Sequence, residues 1–117
     1  MPVRKELTAR LELGLKNYNH GVRVDDDTRT WGTPKDSWME MAKEELLDAI
    51  IYTIADYIRN VRSEGERAPL SFRKNDELDD NKLIMSIVDD WECVESPQHK
   101  MMLWNLFKML DCDIFRN

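Results

Sequence analysis

Between Ser37 and Val61 the apolar residues Leu47, Ile50, Ile51, Ile54, Ile58 and Val61 recur at i, i+3, i+4, i+7, i+11 and i+14, the spacing of one helical face. A strand with one buried face would instead alternate with period two, so this stretch reads as a long helix. Its start is marked as clearly as its face. Pro34 lies just upstream, Ser37 is a good N-cap residue, and Glu40 three positions later completes a capping box. Gly65 is the expected stop.

Three further helices follow from periodicity and capping. The first runs from about residue 2 to 16, with Leu7, Leu11 and Leu15 forming a modest stripe. The third spans about residues 80 to 94, with Ile84, Ile87, Val88 and Trp91 facing inward. The acidic run DELDD at 76 to 80 supplies its start with charges that suit a helix N-terminus. Ser96 followed by Pro97 gives an N-cap and a proline at the first helical position of the fourth. That helix carries Met101, Met102, Trp104, Leu106, Phe107 and Leu110, apolar over more than half its circumference, which suits a central helix or an oligomer interface. Two polar stretches connect the helices, residues 18 to 36 and 63 to 78, and Val22 and Val24 offer at most a very short extended piece. The expected fold is all-α and four-helix-bundle-like, one domain over residues 1 to 117, assembled at least as a dimer.

A chain of 117 residues, 42% hydrophobic and 34% charged, suits an ordinary globular domain. Its net charge of −6 argues against nucleic acid as a partner, because phosphate neutralisation needs a basic surface. Cys93 and Cys112 have neither metal-ligand spacing nor a disulfide framework, and read as core thiols of a reducing compartment. The N-terminus MPVRKELTAR has charges without an apolar region of signal-peptide type. No apolar run approaches the roughly 20 residues that cross a bilayer. The expected location is the cytoplasm, with no membrane partner.

The long helix poses a chemical question at its entrance, where Glu40, Glu44, Glu45 and Asp48 gather with only Lys43 among them. At ~100° per residue, Glu40, Glu44 and Asp48 form one slowly turning stripe beside Leu47 and Ile51, and Glu45 lies further round. Clustered carboxylates beside apolar surface raise one another's cost of ionisation, and a hard divalent cation with oxygen ligands relieves it. The plainer reading is a helix start: glutamate favours the positive helix end, propagates helix well, and has a capping role at Glu40. Spacing alone leaves both open.

The run EELLDAIIYTIADYIR resembles the second acidic motif of the all-α nucleotide pyrophosphatases, the MazG-like enzymes and dimeric dUTPases. That motif is glutamate, two residues, then aspartate, matched by Glu45 and Asp48. The stretch KNYNHGVRVDDDTRTWGTPKDSWMEMAKEELLDAIIY also looks like small MazG-like proteins encoded by bacteriophages, and the resemblance covers about residues 10 to 62. It implies a helical core, a homodimer or homotetramer in the host cytoplasm, and Mg²⁺ held by carboxylates, here Glu44, Glu45 and Asp48; Glu40 is added to them as a further candidate ligand. The reaction it implies is hydrolysis of a (deoxy)nucleoside triphosphate to monophosphate and pyrophosphate, with Glu44, Glu45 and Asp48 catalytic. The family's earlier glutamate–x–x–glutamate motif is missing: Glu6 and Glu12 lack a partner at that spacing. Glu40, or Asp25, Asp26 and Asp27 from the loop, would have to stand in for it.

In the loop, Lys16, His20, Arg23 and Arg29 alternate with acids and with Tyr18 and Trp31. Point charges for phosphate, planar rings for stacking and glycines for close approach are what a nucleotide pocket needs. Lys16, Tyr18, His20, Arg23 and Trp31 are therefore the candidate substrate contacts. Read without the resemblance, this is a solvated loop whose DDDT makes Asx-type turns. His99 reads as a surface residue of the fourth helix, and Trp91 and Trp104 as core or interface. No glycine-rich phosphate loop, serine-hydrolase motif or zinc spacing is present. Two other functions remain in view: an inactive relative that sequesters a nucleotide or nucleotide signal, and a helical adaptor that binds a host protein through the fourth helix.

Overall fold

The structure is a computed structural model and describes residues 2–74 and 79–112. All regular structure among these residues is helical: four α-helices, α1 (Pro2–Tyr18), α2 (Trp38–Arg62), α3 (Asn81–Asp89) and α4 (Pro97–Leu110), with short 3₁₀ turns between them. Val22 and Val24 form no strand. The chain divides into two compact units, Met1–Asp36 and Ser37–Asn117.

The first unit holds α1, and this helix buries none of its residues. Leu7, Leu11 and Leu15 line up as the spacing predicts, yet the stripe is exposed. Beyond α1 the chain is irregular until the 3₁₀ turn Thr28–Trp31, whose small polar core replaces an apolar one. Thr28 is fully buried. Its N–H donates to Asp36 Oδ1 at 3.0 Å, and its hydroxyl lies 3.0 Å from Thr33 Oγ1. Thr33 Oγ1 in turn donates to Lys35 O at 2.7 Å. Gly32 closes the turn at φ 97°, a left-handed conformation that any side chain would strain.

The second unit has the apolar core. Ile50, Ile54, Tyr57 and Ile58 of α2 meet Ile87 of α3, Val94, and Leu103 and Leu106 of α4. Ile54 and Leu103 are 0% exposed, and full burial of such a side chain is worth about 1.5–3 kcal/mol. The buried face of α2 is therefore narrower than its sequence pattern suggests. Ile50, Ile54 and Ile58 lie inside and Val61 is half-buried, whereas Leu47 and Ile51 are each 44% exposed.

Capping sets the helix ends. Ser37 Oγ accepts from Glu40 N at 3.2 Å, confirming the predicted start of α2. The helix ends with Ser63 as its C-cap, before Gly65, which opens a separate 3₁₀ turn at φ 65°. Arg62, in the last turn, donates to Phe72 O and forms a fork with Asp80 at 2.8 and 3.2 Å. The fork holds the Asp80 carboxyl below its usual pKa and raises that of Arg62. The third helix is shorter than expected, because a 3₁₀ turn at Trp91–Cys93 takes over its last residues. Residues 76 to 78 of the acidic run DELDD lie outside the described residues. Trp91 and Trp104 stack at 5.6 Å, with Lys108 Nζ 5.0 Å from the Trp104 ring centre. Cys93 and Cys112 are both exposed, which corrects their reading as core thiols.

Candidate functional site

Helix α2 carries the acids as the periodicity places them. Glu40, Glu44 and Asp48 climb one side of its first half, next to Leu47 and Ile51. That side is open to solvent: Glu44 and Glu45 are exposed, Glu40 and Asp48 half-buried. Their apolar neighbours Leu47 and Ile51 are not covered. Among the described residues, Glu44, Glu45 and Asp48 take part in no salt bridge and no side-chain hydrogen bond. No group of three Asp, Glu, His or Cys side chains among the described residues converges tightly enough to cage an ion. The acids thus form an open row along a helix.

The loop residues belong to the first unit. Lys16 lies in the last turn of α1, and Tyr18 ends that helix, largely exposed. His20 is half-buried; its Nδ1 lies 2.7 Å from Gly21 O, so Nδ1 carries the proton and donates. Arg23 is exposed, and Trp31 ends the 3₁₀ turn about half-exposed. Asp27 is committed locally. Its carboxylate caps the turn by accepting from Arg29 N at 2.9 Å, and it forks with the Arg29 guanidinium at 2.6 to 3.1 Å. These bonds pull the Asp27 pKa from 3.8 down to about 2. Asp27 is the turn-forming aspartate of the plainer reading, already neutralised by its own arginine. It is a poor stand-in for the missing acidic motif.

A second constellation lies wholly within the other unit. His99 is no surface residue: its side chain is 11% exposed. Its Nε2 lies 2.6 Å from Asp56 Oδ2, and its Nδ1 lies 2.5 Å from Ser96 Oγ. Tyr57 flanks the imidazole with ring centres 5.7 Å apart, and its hydroxyl accepts from Glu95 N. Asn60 Nδ2 donates to the same Asp56 oxygen at 3.3 Å. Ser96, His99 and Tyr57 border a cavity of about 750 Å³ whose apolar wall includes Phe72, Ile87 and Val94, a volume in the range of small-molecule pockets. Part of this was legible in sequence, since Ser96 and His99 are three apart across a helix start. Asp56, 43 residues from His99, is brought there only by the packing of α2 on α4.

Compared with known proteins, the chain matches no family model, no curated protein and no solved structure.

Proposed function

We propose that the protein is a Mg²⁺-dependent nucleoside triphosphate pyrophosphohydrolase of MazG-like type, releasing pyrophosphate and a nucleoside monophosphate. The observation that carries this reading is the row of Glu44, Glu45 and Asp48 on α2. It repeats the glutamate–x–x–aspartate pattern and stands open beside apolar surface with no described cation paired to it.

The donor set suits the ion. Mg²⁺ prefers hard oxygen ligands and commonly takes one or two carboxylates, filling its other positions with water and substrate phosphates. An open row of acids fits that demand better than it would fit Ca²⁺, which wants six to eight ligands. Asp48 and Glu45, or Asp48 and Glu44, are spaced to face one ion from adjacent turns, with Glu40 one turn upstream. When bound, the ion screens phosphate charge and lowers the pKa of water. The chain contributes the carboxylates that hold it. Within the first unit, taken by itself, Lys16 and Arg23 are donors of the kind that bind phosphate, and Tyr18, His20 and Trp31 are rings of the kind that stack on a base.

The missing first acidic motif favours a second reading, in which the same residues bind a nucleotide without turning it over. Both readings include assembly as a homodimer or homotetramer, which would cover the exposed apolar face of α4 at Met101, Met102 and Trp104. Incubation with a panel of nucleoside triphosphates and Mg²⁺, read by pyrophosphate release, separates them. Release from at least one nucleotide supports the enzyme; tight binding with no release supports the sequestering protein.

A further inference from the structure

We infer that Ser96 is an activated nucleophile, with His99 as its general base and Asp56 as the group that orients the base, and that the adjoining cavity accepts a small uncharged ester. This inference is independent of the nucleotide reading, since it uses none of the α2 acids or loop residues assigned there.

The proton positions follow from donor and acceptor chemistry. A carboxylate only accepts, so the 2.6 Å contact with Asp56 Oδ2 requires the proton on His99 Nε2. In the neutral ring Nδ1 is then an acceptor, and the 2.5 Å contact there is Ser96 Oγ–H donating to it. The hydroxyl is thus held against a base whose tautomer a carboxylate fixes, the arrangement that makes serine reactive.

Ser96 also caps α4, and a cap alone would explain a serine at this position. The distances rank the two roles. The capping bond from His99 N to Ser96 Oγ is 3.4 Å, at the long end for a hydrogen bond, whereas the contact with the imidazole is 2.5 Å. A cap needs no imidazole, and it needs no carboxylate from another helix behind that imidazole.

The cavity sets the substrate class. Tyr57, Phe72, Ile87 and Val94 offer an apolar wall for an acyl group. Among the described lining residues, Glu64, Asp90 and Glu95 outnumber Arg67 and make the charge there net negative, which disfavours anionic esters. In the reaction, Ser96 Oγ bonds to the ester carbonyl carbon as its proton passes to His99 Nδ1. The bond from that carbon to the alcohol oxygen breaks, and the alcohol leaves with the proton from Nδ1. Water then adds to the acyl carbon, giving a proton to Nδ1. The acid departs, and Ser96 Oγ recovers the proton.

The test is covalent labelling of the full chain with an uncharged fluorophosphonate, in which Ser96 Oγ would displace fluoride from phosphorus, with the adduct located by peptide mass. Native wild type should be labelled at Ser96, and the same chain unfolded in urea should not be. His99→Gln should slow labelling by at least about 100-fold, the low end of the range for a general base. Ser96→Asn, which keeps a good cap residue, should melt like wild type and carry no label. No adduct at Ser96 in the native chain would overturn the inference. So would equal labelling of native and unfolded chains, or an unchanged rate in His99→Gln.

Discussion

Asp27 caps the 3₁₀ turn and Asp48 lies on α2, and the two acids have different partners. Asp27 has the Arg29 fork and a backbone N–H, which lower its pKa from 3.8 to about 2. Its contribution to the folded turn is therefore complete above its unfolded value of 3.8 and lost as pH falls through about 2. Arg29→Ala should return the Asp27 midpoint most of the way to 3.8, read by carbon NMR of the carboxyl; an unmoved midpoint would contradict the assigned cause. Asp48 has no described cation and sits four residues from Glu44. Like charges at that spacing destabilise a helix by about 0.2–0.5 kcal/mol. Asp48→Asn is expected to leave metal-free thermal stability unchanged or raise it by that amount, while removing any stabilisation by Mg²⁺ and nucleotide. A large loss of stability in metal-free melts would mean that Asp48 is structural. The sequence could show that these acids cluster. It could not show that Asp27 is spoken for, because that depends on how Arg29 folds back across the turn.

At the scale of elements, the starts of α2 and α4 were legible because capping is local: Ser37 and Ser96 each accept from an N–H three residues ahead. Burial was less legible because it depends on what lies opposite. Leu47 and Ile51 share the helical period of Ile50 and Ile54, yet only the latter pair meets α3 and α4. Ile54→Ala should cost about 2–5 kcal/mol in denaturant unfolding, and Leu47→Ala under about 1 kcal/mol. Equal costs would mean that the Leu47 face is covered in solution. His99 escaped the sequence reading for the same reason, since its burial depends on Tyr57 and Asp56 of a different helix. Residues 18 to 33 include few buried groups, Thr28 and Thr33 apart, and such segments are the ones that order around ligands. Nucleotide is expected to slow hydrogen exchange in this segment. Protection elsewhere at saturation, with none here, would remove it from the substrate contacts.

At the scale of the whole molecule, the all-α class followed from a period of 3.6 in every apolar segment and no alternation. The proposed assembly rests on what remains exposed: the Leu7, Leu11 and Leu15 stripe of α1, and Met101, Met102, Trp104 and Met109 of α4. Sedimentation at micromolar concentration should show at least a dimer; a stable monomer would contradict the assembly and leave the α4 face to another partner. The central claim is that the acids of α2 hold Mg²⁺ for hydrolysis of a nucleoside triphosphate. Its most direct test is pyrophosphate release by wild type and Asp48→Asn, each with and without Mg²⁺, across a nucleotide panel. The account expects release by wild type only with Mg²⁺, and a loss of at least about 100-fold in Asp48→Asn, because a lost ligand would weaken the hold on the ion whose charge supports the transition state. No release from any nucleotide by wild type, or equal release by Asp48→Asn, would contradict it.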